Sequence, residues 1–204
     1  MKIIGITGSI GMGKTTISSM LKLLGIPVFD SDKYVRTILE ENNCVIEKIF
    51  KLWPDTVFVI QKKKKINKLL LGEKVFRCKK NRKLLENIIH PIIQKQRNIF
   101  IYNHKTSKII GLDIPLLYET GTDKICDYIF LVNALKNLQR KRVLARPNMT
   151  EEKFKQINSA QWTYEQKKKM KPFIINTSYG KLLSFITVII YLLIILINGK
   201  TKHD

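Results

Sequence analysis

Alanine and arginine are scarce in this chain, at 3 and 7 of 204 residues, against 31 isoleucines and 30 lysines. A usage that rich in Lys and Ile is what an AT-rich coding sequence produces. The formal net charge of +21, from 37 Lys+Arg against 16 Asp+Glu, therefore does not by itself announce a nucleic-acid partner. No nucleic-acid recognition motif accompanies the charge, and no specific nucleic acid is expected. Cysteine is scarce too. Cys44, Cys78 and Cys126 lie far apart without C-x-x-C spacing, which excludes a disulfide framework and a zinc site and fits a reducing compartment. The apolar run at Met1–Gly8 is too short for a signal peptide, so export is not expected and a cytoplasmic location is. There is no internal repeat. With 45% apolar and 26% charged residues the chain is neither disordered nor fibrous, and its length suits one globular domain with a sizeable core.

Residues 2–6 form a β-branched run that ends in a Gly-rich turn, which predicts a buried first strand. Ile17, Met20, Leu21 and Leu24 then recur at spacings of three and four, the pattern of an amphipathic helix over 14–24 that Gly25 ends. Ile26-Pro27-Val28-Phe29 predicts a second strand, so the first thirty residues read as a βαβ unit and imply a parallel sheet. Residues 33–108 are mostly helical in pattern, broken at Trp53-Pro54-Asp55 and at Lys62–Lys65, where the lysine run is expected to be a solvated turn. Further strands are expected at 109–114, 128–132 and 173–175. Residues 182–197 carry no charge and are interrupted only by Ser184, Thr187 and Tyr191. As a helix they span ~24 Å, short of the ~30 Å of a hydrocarbon core. Two readings stay open, a buried terminal helix or a membrane-associated tail. Lys181, Lys200 and Lys202 flank both ends and give no orientation.

The strongest motif is Gly8-Ser9-Ile10-Gly11-Met12-Gly13-Lys14-Thr15, a complete G-x-x-x-x-G-K-[ST] between a predicted strand and a predicted helix. Glycines let successive N–H groups from Gly8 to Thr16 face a phosphate chain at the helix N-terminus. Lys14 is expected to reach the β- and γ-phosphates of ATP, and the Thr15 hydroxyl to bind Mg²⁺. Asp30 and Asp32 follow the second strand at the ligand-binding edge of such a sheet. One acid there can accept a proton from an incoming hydroxyl, and either can cap a helix. Asp113 closes another apolar strand, where it would meet Mg²⁺ through water or cap a turn. The Leu116-Leu117 pair after Pro115 is expected to wall a pocket. Arg142 and Arg146, spaced i and i+4 in a basic segment, are expected on one helix face for phosphate contacts, in a lid near 135–170. Asn148-Met149-Thr150-Glu151 offers N-cap chemistry for the next helix.

These pieces, in this order, resemble the dephospho-CoA kinase family. Residues 4–15 match I-G-[IL]-T-G-x-I-G-x-G-K-[ST] throughout. Leu24-Gly25, Val28, Asp30, Asp32 and Arg36 match L-G-x-x-V-x-D-A-D-x-x-x-R, with Ser31 where Ala is usual. Lys74-Val75-Phe76, Leu85-Glu86 through His90-Pro91 to Ile93, and Asp113-Ile114-Pro115-Leu116-Leu117-Tyr118-Glu119 continue the series. Downstream the match thins. Gln161 and Lys167 remain, but Lys171-Pro172 stands for an A-D pair and Asn176-Thr177-Ser178-Tyr179 for N-x-G, while Ile66-Asn67-Lys68 replaces L-D-R.

The resemblance implies an α/β P-loop NTPase fold over residues 1–178. Its central parallel sheet would be flanked by helices, with a helical acceptor-binding insertion near 33–100, the lid, and an apolar tail at 179–204. It implies transfer of the γ-phosphoryl group of Mg-ATP to the ribose 3′-hydroxyl of dephospho-CoA. Asp32 would be the general base, and Lys14 and Arg142, with Arg146, the phosphate cations. Gly8, Gly11, Met12, Gly13, Thr15 and Thr16 would hold ATP, and Thr15 and Asp113 the metal. Arg36, His90, Pro115, Leu116 and Glu119 would line the acceptor side. The rivals are a related nucleoside or small-metabolite kinase, and a degenerate ATP-binding module tethered to a membrane by residues 182–197.

Overall fold

The computed structural model describes residues 1–197, except the side chains of Phe76 and Arg77. The lysines at 200 and 202, and the side chain of Phe76 in the 74–76 motif, thus lie outside the described residues. The chain divides into two compact units, one of Met1–Phe29 with the segment from His104 onward, the other of Asp30–Asn103.

In the first unit, β1 (Lys2–Thr7) leads through the glycine-rich turn into α1 (Lys14–Leu23) and back to β2 (Val28–Asp30). The second unit is a helical insertion of α2 (Ser31–Glu41), α3 (Asn43–Leu52), the β3–β4 hairpin (Val57–Ile60, Lys63–Ile66), α4 (Lys68–Arg77) and α5 (Lys79–Asn103). The chain returns to the first unit with β5 (Ile109–Asp113) and β6 (Tyr128–Asn133). There follow α6 (Lys136–Leu144), α7 (Glu151–Ser159), α8 (Tyr164–Lys169), β7 (Phe173–Asn176) and α9 (Lys181–Ile197). The five-stranded sheet has the order β2-β5-β1-β6-β7, with β1 parallel to β5 and β6, and β6 parallel to β7. All of β5 is buried, as a strand covered on both faces must be.

Register sets the functional edge. Ile6 lies opposite Asp113, Thr7 opposite Leu131, and Asn133 opposite Asn176. The phosphate-loop sequence, Asp113 and Thr177 therefore emerge together at the carboxyl ends of the strands, where ligands of such sheets sit. Ile4, Ile6, Phe130, Val132 and Ile175 of the sheet pack with Ile17 and Leu21 of α1 and with Val188, Leu192 and Ile195 of α9.

The tail is thus half of what each open reading required. Its buried residues Ser184, Val188, Leu192 and Ile195 recur at helical spacing and belong to the core, while the opposite face is exposed and still aliphatic. Tyr191 fixes the helix to the sheet, its hydroxyl donating to the Ile174 carbonyl at 3.0 Å and its ring 4.7 Å from that of Phe173. Among the described residues no helix is long and apolar enough to cross a membrane.

The insertion has its own core of Ile38, Val45, Ile46, Ile49, Trp53, Ile66, Leu71 and Val75. The lysine run corrects one expectation. Only Lys62 sits in a turn, beside Gln61, both at positive φ (62° and 48°), while Lys63–Lys65 run along β4 opposite Ile60, Val59 and Phe58. Ile66 is the reason, because its burial anchors the strand and leaves the lysine stems to cover the hairpin. Lys64 pairs with Glu47 at 2.8 Å and lies 4.0 Å over the Phe50 ring.

Candidate active site

The turn from β1 to α1 cannot be built with ordinary residues. A Cβ on Gly8 would stand 2.6 Å from the Val132 carbonyl oxygen, and Gly13 caps α1 at φ 94°. No acidic side chain occupies the first turn of α1, so its free N–H groups and dipole stay available to an anion. The loop is held from three sides. Gln139 of α6 donates to the Ile10 carbonyl at 2.8 Å, the Ile10 N–H donates to Gln161 at 3.1 Å, and the Thr177 hydroxyl donates to the Met12 carbonyl at 2.8 Å. Fixed from outside, its remaining N–H groups need no rearrangement to receive a phosphate chain.

Asp113 is buried at the end of β5 and accepts from both Lys14 and the Ser18 hydroxyl. Its carboxylate orients the loop lysine, and Ser18 joins because it lies one helical turn beyond Lys14 on the same face of α1. Thr15 is exposed at the start of α1, with half-buried Thr16 beside it.

Arg142, half-buried on α6, donates to the Thr177 hydroxyl at 2.9 Å and the Thr177 carbonyl at 3.1 Å, so both arms grip the residue that grips the loop. Arg146 does not share its face. α6 ends at Leu144, and Arg146 stands exposed in the following turn, where Pro147 stops helix continuation. Arg140 pairs with Glu151 and ties α6 to α7, which Thr150 caps by accepting the Lys153 N–H at 3.2 Å.

The segment after β5 corrects a second expectation. Leu117 is fully buried in the core and walls no pocket, while Pro115 and Leu116 are half-buried and the Pro115 carbonyl accepts from the Thr7 hydroxyl at 3.0 Å. Glu119 accepts the Trp162 N–H at 2.6 Å and lies 3.3 Å from the fully buried Lys167 ammonium. Burial pushes the Lys167 pKa down, the Glu119 carboxylate holds it up, and the Lys14 charge lowers it further. Tyr118 stacks on Trp162 with ring centroids 5.7 Å apart, and burial pushes its phenol up to about 12.

In the insertion, Asp30 takes the capping role by accepting the Lys33 N–H at 3.0 Å, which leaves Asp32 exposed in the first turn of α2. Arg36 is exposed one turn further along α2, and His90 is exposed on α5 just before Pro91. Thr177, Gln139 and Lys167 were outside the predicted set. Lys167 and Gln161 carried a faint signal as survivors of the thin downstream pattern. Thr177 carried none, since its role depends on β7 ending beside β6.

The family model for dephospho-CoA kinase matches residues 2–181. A dephospho-CoA kinase of Mesorhizobium japonicum is 39% identical over 184 residues, covering 88% of this chain and 89% of that one. Among solved structures, the crystal structure of TT1252 from Thermus thermophilus superposes with a TM-score of 0.77 at 29% identity, over 96% of this chain and 97% of that one. The dephospho-CoA kinase from Campylobacter jejuni gives 0.68 at 29% identity, over 98% and 100%. With its phosphate loop complete and the match running from β1 to the first residue of α9, the chain belongs to the dephospho-CoA kinase family.

Proposed function

We propose that this protein transfers the γ-phosphoryl group of ATP to the ribose 3′-hydroxyl of dephospho-CoA, giving CoA and ADP, the last step of CoA synthesis. The observation that carries the reading is the family match over residues 2–181, within which the phosphate loop is intact and pinned. The 3′-oxygen attacks the γ-phosphorus in line as the bond to the β-bridging oxygen breaks, and Asp32 takes the hydroxyl proton. Asp32 suits this role because it stands exposed in the first turn of α2, directly after β2, while Asp30 is the residue that caps the helix.

Lys14 turns from Asp113 to the β- and γ-phosphates, and Arg142 supplies a planar cation beside the loop. Arg146, on the turn beyond α6, follows ATP as the 135–170 lid closes. Arg36, His90 and the Pro115–Glu119 segment receive dephospho-CoA. Mg²⁺ arriving with ATP supplies charge neutralisation on the phosphates. The Thr15 hydroxyl and the Asp113 carboxylate fit it, being hard oxygen donors of the number that this ion takes from protein when phosphates and water complete its shell. Three free, scattered cysteines fit work in a reducing cytoplasm.

ADP release measured with Mg-ATP over a panel of hydroxyl acceptors tests the assignment. Dephospho-CoA should exceed nucleosides and small polyols by at least ~100-fold in kcat/KM. A nucleoside preferred over dephospho-CoA would replace the reading with that of a related kinase.

A further inference from the structure

The exposed face of α9 carries none of the residues assigned above to the reaction. Leu183, Ile186, Ile190, Leu193, Leu196 and Ile197 form one stripe, each between 43% and 80% exposed, on a helix whose other face is core. Apolar surface gathered in this way marks an interaction site. Its chemistry narrows the partner. The polar side chains bordering the stripe are already committed, Thr187 donating to the Leu183 carbonyl and Tyr191 to the Ile174 carbonyl. The stripe thus offers aliphatic surface with no uncommitted hydroxyl proton beside it, a chemistry that suits the acyl boundary of a bilayer.

Charge supplies the rest. Lys181 opens the helix, Lys2 donates to the Ile195 carbonyl at its other end, and the sequence continues through Lys200 and Lys202. A second copy of a chain at +21 is repelled, whereas an anionic surface is attracted. With one face held in the core, the helix cannot turn to cross a bilayer and can only lie along it, its aliphatic stripe in the acyl boundary and Lys181 at the headgroups. We propose that α9 is a monotopic docking surface for anionic lipid bilayers.

Co-sedimentation of the full chain with vesicles tests this. Vesicles of phosphatidylglycerol in phosphatidylcholine should pellet the protein, and phosphatidylcholine alone should pellet at least ~5-fold less. A variant carrying Ile186→Gln, Ile190→Gln and Leu193→Gln should bind anionic vesicles at least ~10-fold more weakly while keeping its ADP-forming rate. Should that variant not fold, raising salt on the wild-type chain serves in its place, with release from anionic vesicles expected. Wild-type protein that stays in the supernatant with anionic vesicles, or pellets equally with both lipids, overturns the proposal. A dimer in sedimentation velocity that the triple variant dissociates would overturn it in favour of a second copy as the occupant.

Discussion

Lys14 and Asp32 are assigned separable tasks, and substitution should separate them. Lys14→Ala should weaken ATP binding at least ~10-fold and lower turnover, because the lysine meets charge in both ground and transition states. Calorimetry that finds ATP affinity unchanged in this variant would sink the phosphate-loop assignment. Asp32→Asn should lower kcat by roughly 10²–10⁴-fold with ATP affinity held within a few-fold, since only proton transfer is lost. Turnover surviving within a few-fold would remove Asp32 as the base.

Tyr118 carries a prediction about pH. Its hydroxyl is buried without a hydrogen-bond partner, and burial raises its pKa from 10 to about 12. Between those values the folded chain holds a proton that the unfolded chain has lost. Stability from this group is therefore full below pH ~10 and falls as pH rises toward 12. Tyr118→Phe should flatten that alkaline loss in urea midpoints measured across the window. An equal loss in wild type and variant would place the cause elsewhere.

At the scale of elements, α9 has two faces with different consequences. Leu192 is 7% exposed in the core cluster, and Leu192→Ala should cost about 2–4 kcal/mol. Ile190 is 49% exposed, and Ile190→Ala should stay within about 0.5 kcal/mol. Chemical denaturation of the two variants checks the contrast, and equal losses would mean that both faces are packed.

The same helix shows what sequence could and could not reveal. Its lack of charge was plain, but apolar residues all round leave no periodicity to say which face is buried. That choice was made by packing against β7, just before it in the chain, and against α1, far away in sequence. The strands and α1 were legible because β-branched runs and three-four spacing are local signals. Two errors share one cause. The lysines of β4 look like a turn until Ile66 is known to be buried, and the i, i+4 spacing of Arg142 and Arg146 means nothing once α6 ends at Leu144. In the first unit, Lys14, Thr15 and Asp113 could be read from motif and position. The Thr177 brace and the Lys167–Glu119 pair exist only through tertiary contacts.

Across the whole molecule the charge of +21 acts on encounter rather than on fold, because both proposed substrates are polyanions. Raising ionic strength from about 50 to about 300 mM should lower kcat/KM for dephospho-CoA several-fold and change kcat less than twofold. Equal falls in both would mean that salt acts on the chemistry or on the fold instead of on association.

The family match and the pinned phosphate loop converge on one reaction. Mass detection of products from purified protein, Mg-ATP and dephospho-CoA tests it most directly. The account predicts CoA phosphorylated at the 3′ position, formed in equal amount with ADP. Tight ATP binding without CoA, or ADP formed without it, would contradict it.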